Sequence, residues 1–237
     1  MGIAETIALS MGIAWASGIN LYATLATLGI LGATGHMVLP EELQILQDPL
    51  VIVAAGFMYC VEFFADKVPG VDTGWDVLHS FIRIPAGAIL AAQAMGDISP
   101  AAEVAALIVG GGLAASTHTL KAGTRVLINT SPEPFTNWFA SLGEDVVVVA
   151  GLALAWTHPI AFLIALGLFA LLMIWLLPKI WRGIRVIFAK LAELFGAKKK
   201  SPAVYENQGE TQDYFRPEAL SSSSPSEPPP LEGPDRK

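Results

Sequence analysis

The sequence predicts an all-α integral membrane protein of about six transmembrane helices. Three observations carry this. Apolar residues make up 53% of the 237 and charged residues only 15%, whereas soluble domains carry about 25% charged residues; mean hydropathy is +0.54. The apolar residues fall in blocks long enough to cross a bilayer core, which takes about 20 residues of helix. The alternating segments of about 10 residues that a membrane barrel requires do not occur, so the backbone groups of these blocks must be satisfied inside helices.

The expected spans cover residues 5–34, 49–66, 77–96, 102–125, 140–157 and 159–178. The first is too long for one straight crossing, and "WASGIN" within it places Ser17, Gly18 and Asn20 where a helix kinks or breaks. The second, "PLVIVAAGFMYCVEFF", follows the loop "GHMVLPEELQILQD". It contains Cys60, the single cysteine, which excludes an internal disulfide framework. "DKVPGVDTGWD" leads to the third span, and "GDISPA" to the fourth. "VLINTSPEPFTN" precedes the fifth, and only "THP" parts the fifth from the sixth. Proline and glycine punctuate most of these connections.

Residues 1–178 are thus read as a membrane domain, with halves at about 5–96 and 102–178. Residues 179–200, "KIWRGIRVIFAKLAELFGAKKK", carry apolar residues at helical spacing with basic residues between them. They are expected to form an amphipathic helix on the inner leaflet, drawn to anionic lipid, or to continue the sixth span. Residues 201–237 are rich in Pro, Ser and Glu and are expected to be a disordered cytoplasmic tail. Much of the net charge of −7 belongs to that tail.

Lysine and arginine accumulate on the cytoplasmic side of membranes. With the N-terminus inside, Lys67, Arg83, Lys121, Arg125 and every basic residue from Lys179 onward sort to one face. The three opposite loops hold no Lys or Arg. Both termini are expected inside, in the inner membrane of a bacterium.

The halves echo each other faintly: "GIAWASGINLYA" (12–23) and "GLAASTHTLKAG" (112–123). Three spans per half would invert the second against the first, as in transporters whose substrate site lies at the repeat interface. Small-residue packing also produces such likeness by chance.

The charges fall in a pattern. Asp76, His79 and Arg83 are spaced i, i+3, i+7 and share a helix face; His118, Lys121 and Arg125 repeat that spacing on the fourth span. Glu62 and Asp66 are i, i+4 on the second, Glu144 and Asp145 lie on the fifth, and Asp72 sits in the connection before the third. Ser17, Asn20, Thr24 and Thr27 form a neutral stripe on the first. Charges within spans cost about 2.5–3.5 kcal/mol each and usually face the bundle interior or water. Acids and bases here all lie in the inner half, where one buried cluster would join them. The bland alternative is a set of ion pairs at the cytoplasmic rim, with Lys67 and Arg83 snorkelling. No metal-ligand signature, nucleotide loop, nucleophile elbow or nucleic-acid motif occurs, and neither a cofactor nor a nucleic-acid partner is expected.

"SGINLYATL", "EFFADKVPGVDTGWDVLHSFIRIPAGA" and "HTLKAGTRVLINTSPEPFTNWFASLGEDV" resemble DUF4126, a family of bacterial multi-pass membrane proteins of unknown function, over residues 5–178. The resemblance implies a membrane location and makes the charged stretch from Asp66 to Arg83 a family feature; it implies no activity. Three functions stay open. The first is a small-solute or ion permease whose pathway draws on Asn20, Thr24 and the charged cluster. The second is a scaffold recruiting partners through the basic helix and tail. The third is an intramembrane enzyme on a lipid head group, with His79 or His118 as general base. The bilayer is the expected partner, and a homo-oligomer is compatible with the sequence.

Overall fold

The computed structural model describes residues 2–68, 70–96, 98–129 and 134–194. Met1–Ala192 form one compact unit; of a second, Glu193–Lys237, only Glu193 and Leu194 are described. The expected tail at 201–237 lies outside the described residues. Every regular element among them is helical: α1 (Ile3–Ile19), α2 (Leu21–Ala33), a short 3-10 helix (Glu41–Gln47), α3 (Pro49–Ala65), α4 (Val71–Gln93), α5 (Pro100–Ile128), α6 (Pro134–Thr157) and α7 (Pro159–Leu194).

Local chemistry sets the helix ends. Asp48 and Ser99 cap α3 and α5, accepting from the N–H groups of Leu50 (2.7 Å) and Ala102 (3.1 Å), and a proline follows each cap at the first helical position, where its missing N–H costs nothing. After α2, Gly35 takes φ +73°, and His36 N–H returns to the Leu31 carbonyl at 2.9 Å, closing the helix in a left-handed turn that suits glycine.

Among the described residues, three helices are long and apolar enough to cross a membrane: α5, residues Trp138–Thr157 of α6 and residues Pro159–Val186 of α7. The 3-10 helix and α3 qualify together as a pair bent by 69°; sequence had read residues 41–47 as loop. The chain is therefore helical, with apolar helices of membrane-spanning length. The expected first span is two helices, α1 and α2, broken at Asn20, and it is not a single crossing. Helix α2 turns back, so Ser10 on Ala91 and Gly29 on Leu46 both lie toward the α4–α5 turn, where Gly96 meets Glu42, while Tyr22 reaches His79 at the other end. Helix α4 begins at Val71, so most of the charged stretch read as a connection is helix. Residues 179–194 continue α7 through Pro178 instead of opening a new helix; residues 195–200 lie outside the described residues.

At the centre, α1, α4 and α5 pack against one another through small residues. A methyl group on Gly87 would lie 2.8 Å from the Ala114 methyl. Gly18 presses its backbone onto the Ala114 carbonyl and the Thr117 hydroxyl, leaving no room for any side chain. Ser10 donates to the Ala91 carbonyl across the same seam at 2.7 Å. Lipid tails are as apolar as leucine, so close approach and interhelical hydrogen bonds must supply the association. Around this seam α2 packs on α3 and on the 3-10 helix, and α6 packs on α1 and α2.

Candidate functional site

The C-terminal end of α3, the N-terminal half of α4, the C-terminal half of α5 and the first half of α6 converge with the start of α2. Their charged side chains form one buried network. Arg83 donates to Glu62 at 2.5 Å and to Asp76 at 3.1 Å. Lys121 reaches Glu62 and Asp66, each at 3.1 Å, and Glu144 at 3.4 Å. Arg125 reaches Glu144 at 2.9 Å and Asp66 at 3.4 Å. Glu62, Arg83 and Arg125 have no exposed surface, and Asp66, Asp76 and Lys121 almost none.

Four carboxylates thus face three cations. Paired charges in a low-dielectric interior recover the cost of leaving water only with good geometry and satisfied neighbours. Here satisfaction is incomplete: Glu62 Oε2, Asp66 Oδ1 and Asp76 Oδ2 are buried and accept no hydrogen bond from the described residues. Ser17 Oγ, on the neutral stripe of α1, is likewise buried without a partner.

Two carboxylates stand beside the network. Asp145 accepts from Asn20 Nδ2 at 3.0 Å and from the Tyr59 hydroxyl at 2.8 Å. Asp72 accepts from the Asn129 amide at 3.0 and 2.8 Å and from the Gly70 and Thr73 N–H groups at 2.8 and 2.6 Å, so it fixes the start of α4. Asn20 is the structural hinge of this side. Its own carbonyl accepts from Thr24 N–H and Oγ1, and its Oδ1 accepts from Ala23 N–H at 2.9 Å, capping α2.

Both histidines are fully engaged. His79 Nδ1 lies 3.0 Å from the Trp75 carbonyl and Nε2 3.2 Å from the Tyr22 hydroxyl, with the ring stacked on Trp75 at 4.4 Å between centroids. A carbonyl only accepts, so Nδ1 carries the proton and Nε2 accepts from Tyr22. At His118 the roles reverse: Arg83 Nη1 approaches Nδ1 at 3.5 Å, so Nε2 donates to Ser80 Oγ at 2.6 Å, and Ser80 in turn donates to the Asp76 carbonyl. Neither ring presents a free nitrogen to act as general base. No group of three or more His, Cys, Asp or Glu among the described residues is placed to hold a metal ion.

The structure brings together most residues singled out in the sequence. Glu62 and Asp66 pair with Lys121 and Arg125 across helices, whereas Asp76 pairs with Arg83 on its own helix and Asp72 with Asn129. Lys67 stays outside the network, half-buried in the turn between α3 and α4. Burial pushes its ammonium below its ordinary value, against the pull of Asp145 and Asp66. Tyr22, Tyr59, Trp75, Ser80 and Asn129 were missed. Tyr59 precedes Glu62 by three residues, and that helical spacing was the available signal.

A family model described as a domain of unknown function, DUF4126, matches residues 7–179. No curated protein and no solved structure matches the chain.

Proposed function

We propose a permease role for this chain, which belongs to the DUF4126 family, a domain of unknown function. In this reading it passes an ion or small solute across the bacterial inner membrane. The observation that carries the reading is the helix break at Asn20, whose amide holds Asp145 beside a buried network with one carboxylate more than its cations. Ionisable groups at membrane depth are costly and mark ion pathways and relays, and broken helices line transporter sites. An excess acid with unpartnered oxygens favours a cation over an anion.

In this proposal α1 enters the bundle as far as Asn20 and α2 returns to the side from which α1 came, since Ser10 meets Ala91 and Gly29 meets Leu46 toward the α4–α5 turn while Tyr22 meets His79 at the other end. The 3-10 helix with α3, and then α4, are the first two full crossings. Its charges keep α4 from qualifying on hydropathy, yet Asp72, Asp76 and Arg83 are buried against neighbouring helices, so it needs no polar surroundings. The basic residues of α7 from Lys179 onward lie inside, as the distribution of Lys and Arg favours, and the start of α1, beside Ala91 and Ala155, lies on the opposite side. The echoing segments meet in the same order, Ala14 on Gly110 and Gly18 on Ala114 and Thr117, so α1 and α5 run parallel and the inverted-repeat grouping is not retained. At the inner end of α7, Lys179 lies over Trp175 and Arg185 over Trp181, an arrangement suited to anionic lipid at the interface.

Reconstitution in sealed vesicles tests the function. Protons, sodium, potassium or chloride, driven by an imposed gradient and read with an ion-sensitive dye, should cross faster than in empty vesicles, with cations favoured. Asp145→Asn should lower that flux and lower the melting temperature only modestly, because its one amide oxygen keeps an acceptor for Tyr59 or for Asn20 but not for both. Rates equal to those of empty vesicles for all four ions would remove an ion permease from consideration. Reporter fusions after Asp48 and Thr157 should read outside; an inside reading at Asp48 overturns this arrangement.

A further inference from the structure

Outside the network, an apolar groove of about 460 Å³ is lined by Phe63, Lys67, Phe135, Trp138, Phe139 and Leu142. Its size falls among small-molecule sites of roughly 300–1,000 Å³, which combine apolar walls with a few placed polar groups. Here the one charged lining residue is Lys67, whose ammonium stands over the Phe63 ring at 2.6 Å and 4.9 Å from the Trp138 ring. It donates to the Phe63 carbonyl at 3.3 Å and makes no ion pair with the described residues. Two of its three N–H donors are therefore left for a ligand.

The groove opens sideways, and its walls face away from the bundle: Phe135 is 72% exposed and Phe139 75%. In a membrane protein such a surface meets acyl chains. A cation at one end, in a turn flanked by membrane helices, supplies the complement of an acidic head group, as basic residues near a bilayer surface do. The nearby acids Asp66, held by Lys121 and Arg125, and Asp145, held by Asn20 and Tyr59, attract Lys67 but neither is within ion-pair distance of it.

We propose that this groove is a specific site for an anionic phospholipid, one acyl chain lying along Phe63, Phe135, Trp138, Phe139 and Leu142 and the phosphate meeting Lys67. The site depends on membrane embedding and not on transport: a chain that moves no ion can still hold the lipid.

The test uses the full chain in phosphatidylcholine vesicles carrying a minor fraction of lipid with brominated acyl chains, which quench nearby tryptophan. The signal of Trp138 is obtained by difference from Trp138→Phe. Brominated phosphatidylglycerol should quench Trp138 more than brominated phosphatidylcholine at the same fraction. Lys67→Ala should lower that preference about fivefold, the contribution of one basic residue beside anionic lipid, and Lys67→Arg should keep it. Should Lys67→Ala melt early, Leu142→Trp, which fills the groove and leaves the cation, is assayed by mass spectrometry for phosphatidylglycerol retained through detergent extraction, and it should retain less than the parent. Equal quenching by the two lipids, a preference unchanged in Lys67→Ala, or full retention in Leu142→Trp overturns the site. So does a lipid-independent dimer in light scattering whose contact buries Trp138, since a second copy would then cover the groove.

Discussion

Near their connecting turn, α4 and α5 meet through Gly87, Ala91, Gly110 and Ala114; at the far end Ser80 and Arg83 meet His118, and Asp72 meets Asn129. The first contact is held by shape, the second by charge and hydrogen bonds. Both are buried, and α1 lies against the first as α3 and α6 close over the second. The difference shows how one helix pair obtains both closeness and register. Small residues let backbones approach but specify position weakly, because one small step resembles the next. Ion pairs permit only one set of neighbours, and a misplaced charge at this depth has no water to turn to.

The sharpest way to break this contrast is to remove one cation. Arg83→Ala would leave Glu62 and Asp76 buried without their guanidinium, and a lone buried charge costs about 3–5 kcal/mol. Thermal melting in detergent should show a large loss. Arg125→Ala should behave alike, and adding Glu144→Ala should recover part of the deficit, since losing both partners is milder than losing one. If Arg125→Ala melts with the parent, the far end is not held by charge.

The shape-held end should respond less. Gly87→Ala inserts a methyl group 2.8 Å from the Ala114 methyl, and overpacking of this kind costs about 1–3 kcal/mol. No second substitution among the charged residues should rescue it, and rescue by any of them would merge the two regions into one. Smaller again is Asn20→Ala. It removes the α2 cap, typically about 1 kcal/mol, together with one bond to Asp145, and should lower the melting temperature modestly. The smallest effect belongs to Cys60→Ser, an exposed position on α3, which should leave the melting curve in place.

Much of the shape-held region and the helix ends could be read in advance. Apolar blocks, the Asp48–Pro49 and Ser99–Pro100 pairs and the small residues of α1 and α5 are local signals, and local signals survive folding. The charge-held region was legible as a set of faces, because i, i+3, i+7 spacing fixes which side chains project together. Its pairings were not. Whether Arg83 meets Asp76 or an acid on another helix depends on helix rotation, which only tertiary packing decides. Asn129 and Tyr59 stayed hidden for that reason, and the start of α4 at Val71 because charge density imitates a loop when its burial cannot be seen.

Asn20 has one further consequence. A single amide group ends α1, starts α2 and holds Asp145 of α6. Its oxygen is committed to α2 and its nitrogen to α6, and rotation of χ2 by half a turn would exchange the two and break both bonds together. The angle between α1 and α2 is therefore latched to α6 by one torsion, so a displacement of either helix reaches the other without passing through the intervening core.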